Sequence, residues 1–307
     1  MLSIAQTALE LGLIGSLTVL ALFLSYSMLG VCDLSTDGCF TLGAVVGAVV
    51  ALAGHPGLSL PAAMGAGMLS GLVTATLQTR MGIDSLLAGI IVNTGLYSIN
   101  IAIMGGASLL NLNKTTTVFT ALKDTLGGSA LAGWSRTLIA LAAAALAVCF
   151  LALFLRTRLG LAIHATGDNP AMVRSSSINP AMTTTVGLCL SGSLTALSGC
   201  LLAQAQKSVN IDIGSGMVTI ALASLLIGRA FTPRGSIVRR AVGAVLGAIV
   251  FRLVYALALR LNMPAFMLKL VSSVIVVFAI AGPYLRARWP ELRRRLGRAG
   301  EEGRDDA

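Results

Sequence analysis

The chain has 307 residues, of which 56% are hydrophobic and only 11% are charged, with a formal net charge of +10. Because soluble domains carry about 25% charged residues, this composition excludes a soluble globular protein. The basic residues gather in a few loops and in the tail Arg286–Arg304, which is typical of a membrane protein anchored on its cytoplasmic side and not of a nucleic-acid surface. The five cysteines lack metal-ligand spacing, so we predict neither a metal site nor a disulfide framework.

Apolar segments recur along the whole chain. A spanning helix needs about 20 mostly apolar residues, and small residues such as the 34 glycines let helix backbones approach closely. We therefore predict an all-α, polytopic membrane bundle of about 8–10 transmembrane helices. In chain order the predicted segments are Thr7–Met28, Phe40–Ala53, Leu58–Gln78, Ser85–Met104, Trp134–Leu155, Ala181–Gln204, Met217–Ile227, Ile237–Leu257 and Pro264–Tyr284.

The second and seventh of these segments are too short to cross a bilayer alone. Each follows a small, polar stretch that contains glycine, Cys32–Gly38 in the first half and Asn210–Gly216 in the second. Short, Gly-interrupted segments in corresponding halves indicate a transporter with two broken or re-entrant segments related by an internal pseudo-repeat. Two ordinary surface loops, each followed by a short helix, remain the alternative.

Arginine-rich segments set the expected orientation. The loop Arg156–Pro180, the loop after Ile227 and the C-terminal tail are assigned to the cytoplasm. The long segment 105–133 then lies outside, where a binding protein could dock. We accordingly divide the chain into a transmembrane domain at 1–287 and a charged cytoplasmic tail at 288–307. The side of the N-terminus depends on whether the short segments span and stays open.

The cytoplasmic loop Arg156–Pro180 contains the dipeptide Asn-Pro twice, at Asn169-Pro170 and at Asn179-Pro180. An Asn side chain caps the free amides of a first helical turn, and Pro suits the first helical position because its missing N–H is not needed there. We therefore predict a helix start at both places.

The first start predicts one short helix, from Pro170 to Ser176, across the cytoplasmic face. On this helix Met172 and Val173 would form an apolar knob and Arg174 would supply a charge. A helix held in this way between two spans can enter a groove on a peripheral subunit. From the residues alone, a plain connecting loop is the competing interpretation.

Several motifs then resemble one known family, in the correct order and from about Leu17 to Gly247. The resemblance is to permeases of ABC importers of the branched-chain amino acid and ribose class, and most closely to the tryptophan- or tyrosine-type subgroup. The motifs that carry it are Asp33-Leu-Ser-Thr-Asp-Gly, Met81–Asn93, Gly160–Ala171 with its Thr-Gly-Asp-Asn-Pro core, the small-residue stretch Thr183–Cys200 and the loop Ile227–Gly235.

The resemblance implies an ATP-driven importer in the bacterial cytoplasmic (inner) membrane, with the C-terminus in the cytoplasm. Implied partners are two copies of an ATP-binding subunit, a second copy of this permease, an extracytoplasmic substrate-binding protein and membrane lipid. ATP and Mg would bind to the partner ATPase, and this chain would bind no cofactor. The residues implied to couple to the ATPase are Gly160, His164, Gly167, Asp168, Asn169, Pro170, Met172 and Arg174.

Two positions of the coupling signature depart from the family pattern. Leu161 and His164 stand where the family usually carries arginine. The charge pairing with the ATPase is therefore expected to differ from that of the family, while the docking itself is retained.

Polar residues inside predicted spans mark a candidate translocation path, because such groups are costly in a membrane. Asn93, Tyr97 and Asn100 are spaced to share one helix face. We place that face on the path or against the Asp33 segment, although interhelical hydrogen bonding alone would also explain it. The predicted path residues are Asp33, Ser35, Asn93, Tyr97, Asn100 and Asp212.

Two cations near the outer ends of apolar runs, Arg252 and Lys269, are expected to reach the interface with their long side chains. If Arg252 were buried instead, it would need a partner such as Asp212, since an isolated Arg at mid-depth costs about 3 kcal/mol or more.

Rival functions lack their chemistry in this sequence. No Gly-x-x-x-x-Gly-Lys-Ser/Thr pattern occurs, so the chain is not expected to hydrolyse ATP, and no catalytic or metal-binding set is predicted. An ion-coupled secondary transporter is the alternative, although its expected acidic residues within helices are nearly absent. An intramembrane enzyme would need a nucleophile and base or a metal cluster, and neither pattern is present.

Overall fold

Helices account for nearly all of the described structure, as expected where no water is available to satisfy backbone groups. The computed structural model describes residues 2–113, 115–125, 134–232 and 236–260, together with residues 270, 273, 274, 277 and 281. Within these residues the helices are α1 Leu2–Leu22, α2 Thr36–Leu52, α3 Pro56–Thr79, α4 Ser85–Ile103, α5 Val118–Thr125, α6 Ser135–Phe154, α7 Arg158–Asp168, α8 Pro170–Ser175, α9 Pro180–Gln206, α10 Met217–Phe231 and α11 Ile237–Arg260.

Six of the described helical segments are long and apolar enough to cross a membrane. They are Ala5–Met28, in which a π-helical turn at Phe23–Met28 extends α1, followed by α3, α4, α6, α9 and the Ile237–Ala258 part of α11. Thr36–Leu52 and Met217–Phe231 are apolar but shorter. The predicted all-α bundle with two short helices is therefore confirmed, and the predicted span Pro264–Tyr284, with Lys269, lies outside the described residues apart from isolated positions.

The bundle has two ends that differ in structure. At the loop end, α6 leads into α7 and α8, which are followed by the start of α9. At the ribbon end, strands β1 (Leu109–Asn111) and β2 (Ser208–Asn210) pair antiparallel and join the ends of α4 and α9. The segment 105–133, predicted to lie outside, thus contains β1 and α5, and its residues 114 and 126–133 are not described.

Helices α1 and α9 cross at the centre and run antiparallel. Ser191 Oγ donates to the Ala21 carbonyl at 3.0 Å, and Ser198 Oγ donates to the Ile14 carbonyl at 2.7 Å. Each of these hydrogen bonds satisfies a hydroxyl that is buried in an otherwise apolar interface. The largest hydrophobic cluster is built around this pair of helices.

The two halves of the chain exchange their central helices. Helix α9 packs on α2 and α3 of the first half, whereas α1 packs on α10 and α11 of the second. Helix α9 runs parallel to α2, since Gly43 lies against Ala196 and Gly47 against Cys200. In the same way α1 runs parallel to α10, and both Tyr26 and Ser27 near its end contact Arg229 near the end of α10. This reciprocal arrangement matches the predicted internal pseudo-repeat, and because α1 and α9 run antiparallel, its two copies are inverted relative to each other.

Small residues set the closeness of these helices. A Cβ added at Gly67 or Gly71 would overlap the backbone of α9, and a Cβ added at Gly199 would overlap the Phe40 carbonyl. Close backbone approach through small residues is the usual way in which membrane helices associate.

Candidate translocation cleft and coupling loop

The two broken segments predicted from the sequence meet inside the bundle. Asp37, in the first turn of α2, accepts a hydrogen bond at Oδ2 from the Gly216 N–H (2.9 Å) and another at Oδ1 from the Val218 N–H (2.8 Å). Gly214 also packs directly on the Asp37 backbone, where a side chain would not fit. A single carboxylate thereby satisfies free amides at the start of α10 and complements its positive helix dipole.

The start of α2 is shaped by a tight local turn. Asp33 Oδ1 accepts from the Ser35 N–H at 2.9 Å and from Ser35 Oγ at 2.6 Å. Thr74 Oγ1 of α3 in turn donates to Ser35 Oγ at 3.3 Å. Asp33 is 3% exposed. The two hydrogen bonds from Ser35 therefore replace those that its carboxylate would form with water if it were exposed.

A polar cleft of about 340 Å³ opens beside this junction, between α2, α4 and the segment that leads into α10. Its volume falls in the range of small-molecule sites. The residues that line it are Asp37, Gly38, Thr41, Asn93, Thr94, Tyr97, Asn100, Ile211, Asp212 and Ser215.

At the inner wall of the cleft, Asn100 Nδ2 donates to the Gly38 carbonyl at 3.3 Å. A carbonyl can only accept, so this contact fixes the orientation of the amide. The Asn100 Oδ1 atom is buried and accepts no hydrogen bond from the part of the chain that the structure describes. Gly38 also lets α4 approach closely, because an added Cβ would lie 2.7 Å from Asn93 Oδ1 and 3.0 Å from Leu96 Cβ.

The structure brings four of the six predicted path residues together in this cleft, namely Asn93, Tyr97, Asn100 and Asp212. Asp33 and Ser35 lie outside its lining and hold the turn before α2. Sequence reasoning missed the role of Asp37. A hint was present, since Asp37 is the second carboxylate of the Asp33–Gly38 motif, but nothing near it in the sequence indicates which amides it caps.

The predicted coupling loop contains two helices instead of one. Helix α7 begins where Thr157 Oγ1 accepts from the Gly160 N–H at 3.2 Å. Helix α8, Pro170–Ser175, begins as predicted, because Asn169 Oδ1 accepts from the N–H groups of the first two non-proline residues at 3.0 and 3.1 Å. Asn179 caps α9 in the same manner, with its Oδ1 3.0 Å from the Ala181 nitrogen.

The exposed face of α8 carries Met172, 62% exposed, and Arg174. Val173 is only 3% exposed, so the prediction that it shares an outward knob with Met172 is wrong. Successive residues of a helix point about 100° apart, so Val173 faces the bundle while Met172 and Arg174 on either side of it are exposed. Asp168, Asn169 and Pro170 are exposed at the junction of α7 and α8.

On α7, the coupling residues face two ways. His164 Nδ1 lies 3.2 Å from Asp168 Oδ2, one helical turn away, and forms an ion pair with it when the imidazole is protonated. Gly160 packs on the end of α6, and Gly167 packs on the Met28 carbonyl with no room for a side chain. The two glycines therefore position α7, whereas the exposed Asp168 remains available to a partner.

Contacts at the end of α1 connect the coupling loop to both halves. Besides the contact between Gly167 and Met28, Arg229 of α10 hydrogen-bonds to Ser27 through its guanidinium and lies over the Tyr26 ring at 5.9 Å. The coupling loop and the end of α10 thus both contact the π-helical turn. From this turn the chain continues directly to the turn at Asp33.

Arg252 lies between α1, α10 and α11, where it lines a small cavity of about 10 Å³ with Gly15 and Ser224. Its guanidinium is 5.9 Å from the centre of the Tyr255 ring. Asp212, the partner that burial was expected to require, lies at the polar cleft and makes no described ion pair with it. The aromatic contact and the aliphatic stem accommodate Arg252 instead.

Among the described residues, no group of three or more His, Cys, Asp or Glu side chains could hold a metal ion. The arrangement consists of a polar cleft at the meeting point of two half-helices and a capped helix on the loop end. These features define a membrane permease.

The chain belongs to the family described as the branched-chain amino acid transport system permease component, whose model matches residues 4–280. It is 31% identical over 270 residues to a tyrosine transport system permease protein of Clostridioides difficile, covering 88% of both chains. It is 24% identical over 253 residues to the ribose import permease protein of Escherichia coli K12, covering 81% of this chain and 75% of that one. No solved structure matches the chain at a comparable level. The protein is therefore a multi-pass membrane permease component of an ABC-type transport system.

Proposed function

We propose that this chain is the transmembrane subunit of an ATP-driven importer for an aromatic amino acid. The observation that carries the proposal is α8, a helix that is capped by Asn169 and presents Met172 and Arg174 outward at the loop end. With the chain in the bilayer, this exposed face would be free to bind a partner outside the membrane. A groove on an ATP-binding subunit would fit it. The choice of an aromatic amino acid is supported by the tyrosine permease relative.

In the proposed mechanism, two copies of the chain enclose the path and two ATP-binding subunits dock on the two α8 helices. Closure of the ATPases on ATP moves α8 and α7. Because Gly167 packs on the Met28 carbonyl, this motion reaches the turn at Asp33 and then the junction between α2 and α10. A substrate-binding protein would deliver the solute at the ribbon end, beside β1 and α5.

The experiment is purification of the tagged chain from its native membranes in mild detergent, with identification of the proteins that copurify. Two variants test the interface: one in which Asp168, Asn169 and Pro170 are replaced by Ala, and Met172→Glu. Met81→Glu is the matched control, since Met81 is 70% exposed and lies in the turn between α3 and α4 at the same end.

We expect a P-loop ATPase to copurify with the natural chain and with Met81→Glu, and to be lost from both α8 variants. An ATPase that is retained by Met172→Glu would contradict the assignment of α8. Solute uptake by liposomes that contain this chain alone, without any ATPase, would instead indicate an ion-coupled secondary transporter.

A further inference from the structure

We propose that the polar cleft binds the ammonium group of the transported solute, with the Asp212 carboxylate as counter-charge and the Asn100 amide oxygen as a further acceptor. This inference rests on the proposed function only in that the solute passes through this cleft. It adds the chemical group that the permease itself recognises, separately from any binding protein.

The charges that line the cleft have one sign. Asp37 and Asp212 both lie in the lining, and none of the described lining residues is Lys, Arg or His. Wall carboxylates without basic neighbours favour a cation and disfavour an anion, and low-dielectric walls strengthen this preference.

The two carboxylates have different tasks. Both oxygens of Asp37 are occupied by the amides that begin α10, so this carboxylate holds the fold together. Asp212 uses its backbone N–H in a hydrogen bond to Asn210 Oδ1 at 3.2 Å, while its exposed carboxylate accepts no hydrogen bond from any described residue. Asp212 is thus the carboxylate that remains available to a ligand.

Asn100 supplies the second, independent observation. It is 1% exposed, lines the cleft and directs its amide nitrogen to the Gly38 carbonyl. The remaining atom, Oδ1, is an acceptor that no described residue satisfies. A buried acceptor of this kind is best satisfied by a ligand that donates hydrogen bonds, and an ammonium group has three donors.

Tyr97 adds a surface for the rest of the solute. It lies one helical turn from Asn93 and close to Asn100 on the same face of α4, and its side chain is half exposed. An aromatic ring beside a carboxylate can pack on an apolar or aromatic group of the solute, and its face also attracts cations.

The test compares two probes that share the same phenol ring and two-carbon chain. Tyramine ends in an ammonium group, and 3-(4-hydroxyphenyl)propionate ends in a carboxylate. Binding of each radiolabelled probe is measured on the full chain in phosphatidylcholine nanodiscs, without ATP or partner proteins, with empty nanodiscs subtracted. The variants are Asp212→Asn and Asn100→Leu, and Asp84→Asn is the control because its exposed carboxylate caps α4 outside the cleft.

We expect tyramine to bind about tenfold more tightly than the propionate, because one additional ion pair in a partly enclosed site is worth about that factor. Asp212→Asn should remove this preference, Asn100→Leu should reduce tyramine binding, and Asp84→Asn should change neither. Equal binding of the two probes, no binding of either, or an unchanged preference in Asp212→Asn would overturn the proposal. Since no ATPase takes part, failure of the importer assay would leave this result intact, and the two proposals can fail separately.

Discussion

The carboxylate of Asp37, in the first turn of α2, accepts a hydrogen bond at 2.8 Å from the backbone N–H of Val218, in the first turn of α10. The two short helices therefore begin at the same point and run in opposite directions from it, since α2 is parallel to α9 and α10 is parallel to α1. Neither helix is long enough to span a membrane alone. The irregular backbone at their junction is partly buried in the bundle and partly lines the polar cleft, and these are the two situations in which a membrane protein tolerates it.

Loss of this junction is the first expected outcome. Asp37→Ala removes two hydrogen bonds to a charged group, each worth about 1.5–3 kcal/mol, so the free energy of unfolding should fall by about 3 kcal/mol or more. The measurement is denaturant unfolding of the purified chain in micelles. Asp84→Ala, which removes the single bond from Asp84 to the Leu86 amide at the exposed start of α4, should cost only about 1 kcal/mol. Equal losses in the two variants would show that the Asp37 contacts are not special.

Much of the fold could be predicted from the sequence because the signal for a membrane helix is local. Eight of the nine predicted segments correspond to described helices, and the two short ones were recognised by length alone. The start of α8 was also predictable, since the Asn169 cap acts on the amides that follow it directly. Fold class, helix order and one half of the coupling loop thus follow from neighbouring residues.

Other features depend on residues far apart in the chain. Asp37 and Val218 are separated by 181 positions, and no local pattern indicates that one should cap the other. Helix α7 was missed because its cap, Thr157, is not followed by proline as Asn169 and Asn179 are, and because Gly160 lowers the helix propensity of its first turn. The burial of Val173 was missed because six residues are too few to show a helical period. Three of the ten residues that line the candidate cleft, namely Asn93, Tyr97 and Asn100, could be predicted together because they share one face of a single helix.

The second prediction concerns the closeness of α2 and α9. In Gly199→Ala the added Cβ would overlap the Phe40 carbonyl, and backbone cannot move aside as a flexible side chain would. We expect a loss of about 1–3 kcal/mol in stability, the usual cost of overpacking. In Gly65→Ala the added methyl group meets open space on the exposed side of α3, so stability should stay the same or rise by about 0.5–1 kcal/mol. Thermal unfolding of both variants in one detergent checks the contrast, and a destabilised Gly65→Ala would argue against it.

The third prediction distinguishes docking of the ATPase on α8 from transmission of its motion to the junction of α2 and α10. Gly167 packs on the Met28 carbonyl, whereas Met172 and Arg174, the exposed residues of α8, are not part of that contact. Gly167→Ala should therefore leave copurification of the ATPase unchanged. It should lower ATP-driven uptake about tenfold, because a disturbance of the contact with Met28 by about 1.4 kcal/mol corresponds to that factor. Uptake and ATP hydrolysis are measured together in proteoliposomes. Gly95→Ala, which adds a methyl group in open space on α4, serves as the control, and equal effects of the two would contradict a specific role for Gly167.

The fourth prediction tests how the ribbon end is held. Gln204 of α9 is 1% exposed, donates to Ser59 Oγ at 2.6 Å and accepts from the Val118 N–H at 2.9 Å. Gln204→Leu keeps the approximate size but leaves the Val118 amide without an acceptor, which costs about 1–3 kcal/mol for a buried group. Hydrogen exchange at the start of α5 should accelerate by about tenfold, since each 1.4 kcal/mol of local stability corresponds to that factor.

Gln206→Leu provides the matched control for this fourth experiment. Gln206 lies two residues further along α9 and is exposed, so the same change of side chain should leave the exchange of the Val118 amide unaffected. If both variants accelerate exchange equally, the effect belongs to the end of α9 in general and not to the hydrogen bond. If only Gln204→Leu does so, one buried amide group ties α9 to both α3 and α5, and the docking surface proposed for a binding protein depends on it.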